Sequence, residues 1–330
     1  MTEKIILFGA GACGRYVIAN LRSQGITPLA FAENDKSKWG RMIDGVPVCE
    51  PTDLASLHKD ATWVATVISA PAREIRQQMR EMLVKTAPLY EVLPCHHGLP
   101  PDKIRDTLFP AIGDVVSKIE FNDQCVFRRS GDYNYQMSPS PISELYFPPF
   151  IKHRDDEHFV DCGAADGDTV AEFRKRWSNY SRITAFEPDT ENYRKLALSC
   201  LDDPRNHTFM AAVADFNGKF SFTKSGDYSS HLGGNDVTQV VSLDETCDAP
   251  TYIKMDIEGS ELEAIWGARR LLKEYSPVLA VCAYHTSDHL WQIPLLIHAI
   301  QPDYKLFLRR YAEGAWELVW YAVPPERIVL

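Results

Sequence analysis

The chain is 330 residues long, 45% hydrophobic and 24% charged, with a formal net charge of -10 at pH 7. That length suits two domains of about 100–200 residues each, and the apolar fraction supplies a sizeable core. The acidic balance argues against a broad surface for nucleic acid or anionic membrane, while leaving room for a small basic pocket.

No apolar run approaches the roughly 18 residues needed to cross a bilayer, so no membrane span is expected. "MTEKIILFGAG" enters a strand pattern directly, without the basic, apolar and small-residue order of a signal peptide. The eight cysteines (13, 49, 95, 125, 162, 200, 247 and 282) include no CxxC pair. That spacing predicts reduced, mostly buried thiols and a cytoplasmic protein.

In chain order, Ile5, Ile6, Leu7 and Phe8 read as a short buried strand, and Gly9, Gly11 and Gly14 give GxGxxG. A helical pattern through Tyr16, Val17 and Leu21 follows and stops at Gly25. "PLAFAEND" then places Glu33, Asn34 and Asp35 roughly 20 residues past the glycines, where an acid can meet a ribose hydroxyl. Glycines let the backbone approach a diphosphate, whose charge a helix N-terminus favours. "ATWVATVISAP" at Ala61–Pro71 reads as a further strand of the same sheet. Residues 1–100 are therefore expected to be a Rossmann-like domain holding a nucleotide or nucleotide-sugar through Gly9, Gly11, Gly14, Glu33 and Asp35. The plainer alternative is the same fold without a ligand. "CHHG" at Cys95–Gly98 offers metal-ligand types on one loop with no matching cluster, a weak signal.

Residues 101–145 carry proline breaks around one helical stretch and read as a helical bridge. The aromatics of "DYNYQMSPSPISELYFPPF" either cover a sheet edge or form a lid.

A second strand–glycine–helix unit opens at "HFVDCGAADGDTVAEFRKRW". Asp161 ends a strand, Gly163 and Gly167 bracket a turn, and Asp168 or Thr169 can start the helix. The next strand ends in Glu187. Asp161 before the glycines and Glu187 after the second strand suit S-adenosylmethionine, whose ribose hydroxyls Glu187 can accept; another kind of nucleotide fold is the alternative. "FMAAVADFNGKFSF" and "TQVVSLDE" are expected as further strands of this sheet. "YIKMDIEGSELEAIWGARRLL" is expected as a later strand with Asp256 and Glu258 at its carboxyl end. Ser260 starts a helix whose Leu262, Ile265 and Leu272 face the sheet, and Glu258 could serve only to cap it.

Two resemblances attach to these residues. "ILFGAGACGR" and "LAFAENDKSKWGRMIDGVPVCEP" resemble the nucleotide-sugar-binding N-terminal domain of certain bacterial sugar acyltransferases, over about the first hundred residues. "FVDCGAADGDT", "AFEPD", "VVSLDE", "YIKMDIEGSELEAIWGARRLL" and "AYHTSDHLWQIPLLI" together resemble an FkbM-type methyltransferase, from roughly Tyr146 to Ala312. The second resemblance implies a class I, S-adenosylmethionine-dependent fold over 146–330 acting on hydroxyls of sugars, polyketides or related metabolites. It implies that Asp161, Gly163, Ala164, Gly167, Asp168 and Thr169 form the cofactor loop, with Glu187 on the ribose. Asp256 and Glu258 fall in its Asp-x-Glu-Gly motif, and His285 faces the same crevice.

The fold expected is thus α/β, with two Rossmann-like domains. An acceptor hydroxyl must lose its proton to become a good nucleophile. His285 is the candidate base, oriented by Asp256 or Asp288; Mg²⁺ held by carboxylates such as Asp256 is the alternative. His289 reads as a helix-surface residue. The acceptor expected is a small molecule or nucleotide-sugar, and a homodimer is compatible with the sequence. An NAD(P)-dependent oxidoreductase or epimerase, and a non-catalytic sugar-nucleotide-binding module, are the competing readings.

Overall fold

Strand β1 (Ile5–Phe8) is apolar at four consecutive positions because both of its faces are covered. In the computed structural model, which describes residues 4–67, 72–87, 100, 103–130, 136–223, 231–232, 236–312 and 314–329, Ile5 and Leu7 pack with Val17, Leu21 and Phe31 on one side. Ile6 and Phe8 pack with Trp63, Ile75 and Met79 on the other. Each such side chain removed from water contributes about 1.5–3 kcal/mol. The neighbouring strands are β2 (Ala30–Ala32), β3 (Met42–Ile43), β4 (Val46–Cys49), β5 (Thr62–Ala65) and β6 (Lys85–Thr86), in the order β3-β4-β2-β1-β5-β6. All pairs are parallel except the β3–β4 hairpin, which turns through Asp44 and Gly45 with left-handed backbone.

The chain divides into two units. The first comprises Met1–Leu99, Asn122–Pro139 and Arg310–Trp316; the second comprises Pro100–Phe121, Ser140–Arg309 and Glu317–Leu330. Residues 101–145, expected as a bridge, are therefore shared between the units. The Cys95–Gly98 loop lies outside the described residues.

The second unit is built on β7 (His158–Cys162), β8 (Arg182–Phe186), β9 (Asn206–Phe209), β14 (Tyr252–Met255), β15 (Val278–Cys282), β16 (Lys305–Arg310) and β17 (Leu318–Val323), in the order β16-β17-β15-β14-β7-β8-β9. Five of these strands, β9, β8, β7, β14 and β15, run parallel, and β17 runs antiparallel to β15. The strand order reverses between β7 and β14, so a crevice opens there at the carboxyl ends. β10 (Ala212–Val213), β11 (Gly218–Thr223), β12 (His231–Leu232) and β13 (Asp236–Val241) form a separate four-stranded sheet. This corrects the expectation that "FMAAVADFNGKFSF" and "TQVVSLDE" join the main sheet: β11 pairs antiparallel with both β12 and β13, which uses its edges locally.

Beneath the main sheet, Phe147 packs against Phe159, Phe173, Trp177 and Tyr252. The aromatic segment before β7 thus anchors the core through Phe147. The helical run after Ser260 divides into Glu261–Trp266 and Arg269–Tyr275, with Ile265 and Leu272 buried and Leu262 half-buried. Among the described residues no helix is long and apolar enough to cross a membrane, and the seven cysteines there form no disulfide with one another.

Candidate active site

Strand β7 delivers the chain to a turn at Gly163, where φ is +77°. A Cβ at Gly163 would lie 1.9 Å from the backbone oxygen of Asp256, so this turn sits flush against the end of β14. The two segments line one cavity of about 300 Å³. Ala165, Asp168, Thr169, Glu187, Tyr146, Lys254, Glu258, Tyr284 and Glu317 line it with them.

Glu187 extends from the end of β8 and is buried. Its Oε2 accepts the Ala165 N–H at 2.9 Å and its Oε1 accepts the Asp189 N–H at 2.8 Å. Burial pushes its carboxyl upward, while those two N–H groups and Lys254 work in the opposite direction. Each carboxylate oxygen keeps a lone pair that can accept a further hydrogen bond.

In the same cavity, Asp256 Oδ2 accepts the Tyr146 hydroxyl at 2.8 Å, and Oδ1 accepts that of Tyr284 at 3.3 Å. His285 Nε2 stands 3.2 Å from Asp256 Oδ1 and 3.7 Å from Glu258 Oε2, while its Nδ1 is 2.7 Å from Glu261 Oε1. Both ring nitrogens face carboxylates, an arrangement that requires two N–H groups. Burial alone would lower the pKa of His285, but Asp256 and Glu261 outweigh it and raise it to about 10. The same contacts hold Asp256 below the ordinary carboxylate range against the opposing effect of burial.

Lys254, on β14, is buried with its Nζ 2.9 Å from Asp161 Oδ1 and donates to the Gly163 carbonyl at 2.7 Å. Burial disfavours its charge, yet Asp161 and Asp256 keep the ammonium protonated. Lys254 therefore ties the end of β7 to the end of β14 from below.

Four pocket-lining residues other than glycine adopt left-handed backbone: Tyr146 (φ 63°), Ala165 (φ 44°), Glu258 (φ 56°) and Glu317 (φ 50°). Such conformations cost of order 1–3 kcal/mol each and concentrate at functional sites. Half of the eight non-glycine cases among the described residues fall on this one cavity.

Residues 161–301 match the family described as Methyltransferase FkbM domain. That segment is similar to FkbM methyltransferase domains. Residues 1–88 match a second family, described as C2185-like, N-terminal. Among solved structures, the chain is similar to the methyltransferase FkbM from Methylobacillus flagellatus KT, at 24% identity and a TM-score of 0.80, covering 97% of this chain and 90% of that one. That likeness shows a shared α/β fold. It is also similar to perosamine N-acetyltransferase from Caulobacter crescentus (20% identity, 26% of this chain, 40% of that chain, TM-score 0.22). A further similarity is to precorrin-6y C5,15-methyltransferase from Geobacter metallireducens GS-15 (15% identity, 56% and 92%, TM-score 0.35). No curated protein matches the chain.

Of the residues expected at the site of the second unit, Gly163, Asp168, Thr169, Glu187, Asp256 and Glu258 line the cavity. Ala164 and Gly167 close the turn behind it through the Gly167 N–H to the Ala164 carbonyl, at 2.8 Å. Gly167, with φ +94°, caps the helix Asp168–Arg176, a place expected for Asp168 or Thr169. Asp161 lies one layer down, spent on Lys254. His285 stands behind Asp256, and its acidic partners are Asp256, Glu258 and Glu261 rather than Asp288. His289, expected on a helix surface, is buried with Nδ1 3.1 Å from Glu261 Oε2. Sequence reasoning did not select Tyr146, Lys254, Glu261, Tyr284 or Glu317. Tyr146 lies in the aromatic segment read as an edge cover or lid, Tyr284 stands beside His285 in its motif, and Lys254 interrupts an apolar strand as a cation; Glu261 and Glu317 left no signal.

In the first unit, Glu33 Oε2 accepts the Ala10 N–H of the glycine loop at 3.1 Å and contacts Lys38 at 3.2 Å. Asp35 accepts from Ser37 and caps a short turn, and Asn34 donates to Gln78. A Cβ at Gly14 would lie 2.2 Å from the Gly9 carbonyl oxygen, whereas one at Gly11 meets nothing within 4 Å. Gly9 and Gly14 serve packing; Gly11 faces open space.

Proposed function

We propose that the FkbM methyltransferase domain transfers the methyl group of S-adenosylmethionine to a hydroxyl of a sugar, nucleotide-sugar or related metabolite. The observation that carries this reading is Glu187: a buried carboxylate fixed by two backbone N–H groups, with one lone pair left on each oxygen and a glycine turn beside it. A vicinal ribose diol offers two O–H donors that match it. The donor supplies a methyl group on a positively charged sulfur, and the carboxylates of Asp256, Glu258 and Glu317, which line the same cavity, favour that charge.

Asp256, held by two phenols and an imidazolium, positions Tyr146 and Tyr284 toward the acceptor end of the cavity. His285 was expected to accept the acceptor's proton. Being cationic at neutral pH, it has no free lone pair, and its role is to fix Asp256. The donors around Asp256 fit a carboxylate already neutralised rather than one ligating Mg²⁺. Among the described residues no group of three His, Cys, Asp or Glu side chains is arranged for a metal.

For the first unit, the open space at Gly11, the N-cap of the helix Ala12–Ser23, supports binding of a nucleotide or nucleotide-sugar. Titration of the full chain with S-adenosylmethionine and with adenosylhomocysteine, followed calorimetrically, tests the central reading. Uptake of both is expected; absence of uptake at about 1 mM ligand removes it.

A further inference from the structure

Glu317 immediately precedes β17, which runs antiparallel to β15 with Val319 opposite Cys282. The Ala283 N–H donates to the Leu318 carbonyl at 2.8 Å. The start of β17 is thereby pinned to the carboxyl rim, beside the segment that carries Tyr284 and His285. Glu317 takes a left-handed backbone there and lines the cavity together with Tyr146, Asp256, Glu258 and Tyr284.

The neighbouring acids of the second unit are committed. Glu187 accepts two backbone N–H groups, Asp161 faces Lys254, Glu261 faces two histidines, and Asp256 faces two phenols and an imidazolium. Among the described residues the Glu317 carboxylate has no hydrogen-bond or ion-pair partner. We propose that Glu317 is the carboxylate that receives the acceptor's proton during methyl transfer, an inference that rests on the methyl-transfer reading above.

The electrostatic setting agrees with the placement. Burial, then the negative charge of Asp256, raises the Glu317 carboxyl to about 7; His285 and Lys254 draw it down and Asp168 adds to the rise. Tyr146, Tyr284 and Cys282 also face this charge, and Glu258 shares the wall. A base works best when its pKa lies near the working pH. In the transfer, the acceptor O–H bond breaks and its proton goes to a Glu317 oxygen. The oxygen lone pair forms the bond to the methyl carbon, and the carbon–sulfur pair stays on sulfur, leaving a neutral thioether and a neutral carboxylic acid.

Sinefungin tests this without an acceptor, because it carries an ammonium group where the donor carries its methylated sulfur. Calorimetric affinities of sinefungin and adenosylhomocysteine are compared from about pH 6 to about pH 8 for wild type, Glu317→Gln and Glu317→Asn. As Glu317 ionises, the wild-type preference for sinefungin should rise roughly tenfold, and it should stay flat in both variants. A flat wild-type preference, or an equal rise in the variants, overturns the assignment of Glu317. Failure of adenosylhomocysteine to bind wild type overturns the methyl-donor reading instead. Asparagine tolerates left-handed backbone, so it provides a folded variant should glutamine disturb the turn.

Discussion

His285 stands 3.2 Å from Asp256 through Nε2, and its opposite nitrogen is 2.7 Å from Glu261. An imidazole between two carboxylates is an imidazolium, and it joins the loop after β14 to the helix Glu261–Trp266. This ring is a cation held between the two carboxylates.

The His285 contact fixes a pH dependence of stability. Its pKa rises from 6.5 to about 10 on folding, because the two carboxylates outweigh burial. Its contribution is therefore complete below about 6.5 and is lost as pH rises through about 10. Denaturant midpoints measured from neutral to alkaline pH should fall for wild type. They should fall less for His285→Gln, which is already less stable at neutral pH.

Lys254 and Asp161 form a buried pair at 2.9 Å. Lys254→Met leaves Asp161 uncompensated and should cost about 3–5 kcal/mol at neutral pH. Lys254→Met combined with Asp161→Leu removes both charges and should recover most of that loss in urea titrations. Donor binding should stay weakened in the double variant, since the Gly163 carbonyl loses its anchor.

Glu187→Gln replaces one accepting oxygen by a donor and removes the charge. A charged hydrogen bond contributes about 1.5–3 kcal/mol, so affinity for adenosylhomocysteine should drop about tenfold to a hundredfold. Calorimetric titration reads this directly, and the same variant should leave nucleotide binding by the first unit unchanged.

The two inner glycines of the first loop should separate stability from binding. Gly14→Ala puts a Cβ 2.2 Å from the Gly9 carbonyl oxygen and 2.7 Å from the Phe31 ring. It should destabilise the chain by about 1–3 kcal/mol. Gly11→Ala meets nothing within 4 Å and sits at an extended φ of -87°. Its thermal midpoint should match wild type, whereas a diphosphate-containing ligand, tested with a panel of nucleotide-sugars, should bind more weakly.

The local rhythm of the sequence determined the leading strand of each unit and the glycine turn after it, but not that β10–β13 form a sheet of their own. Four apolar residues in a row at Ile5–Phe8 require cover on both faces, and a strand ending in glycine before a helix places a crevice at its carboxyl end. Glu187 and Asp256 were legible for the same reason, since each ends a parallel strand and must point to the rim. Proton placement was not legible. Whether His285 is a base or a cation depends on how many carboxylates surround it, and Glu261 reaches it only after a helix folds back on the strand. Glu317 was invisible because its position follows from β17 inserting antiparallel beside β15, a long-range pairing that no local pattern encodes. Local periodicity decided where strands and turns form, whereas tertiary pairing decided which charges meet, because electrostatic partners are set by distance in space.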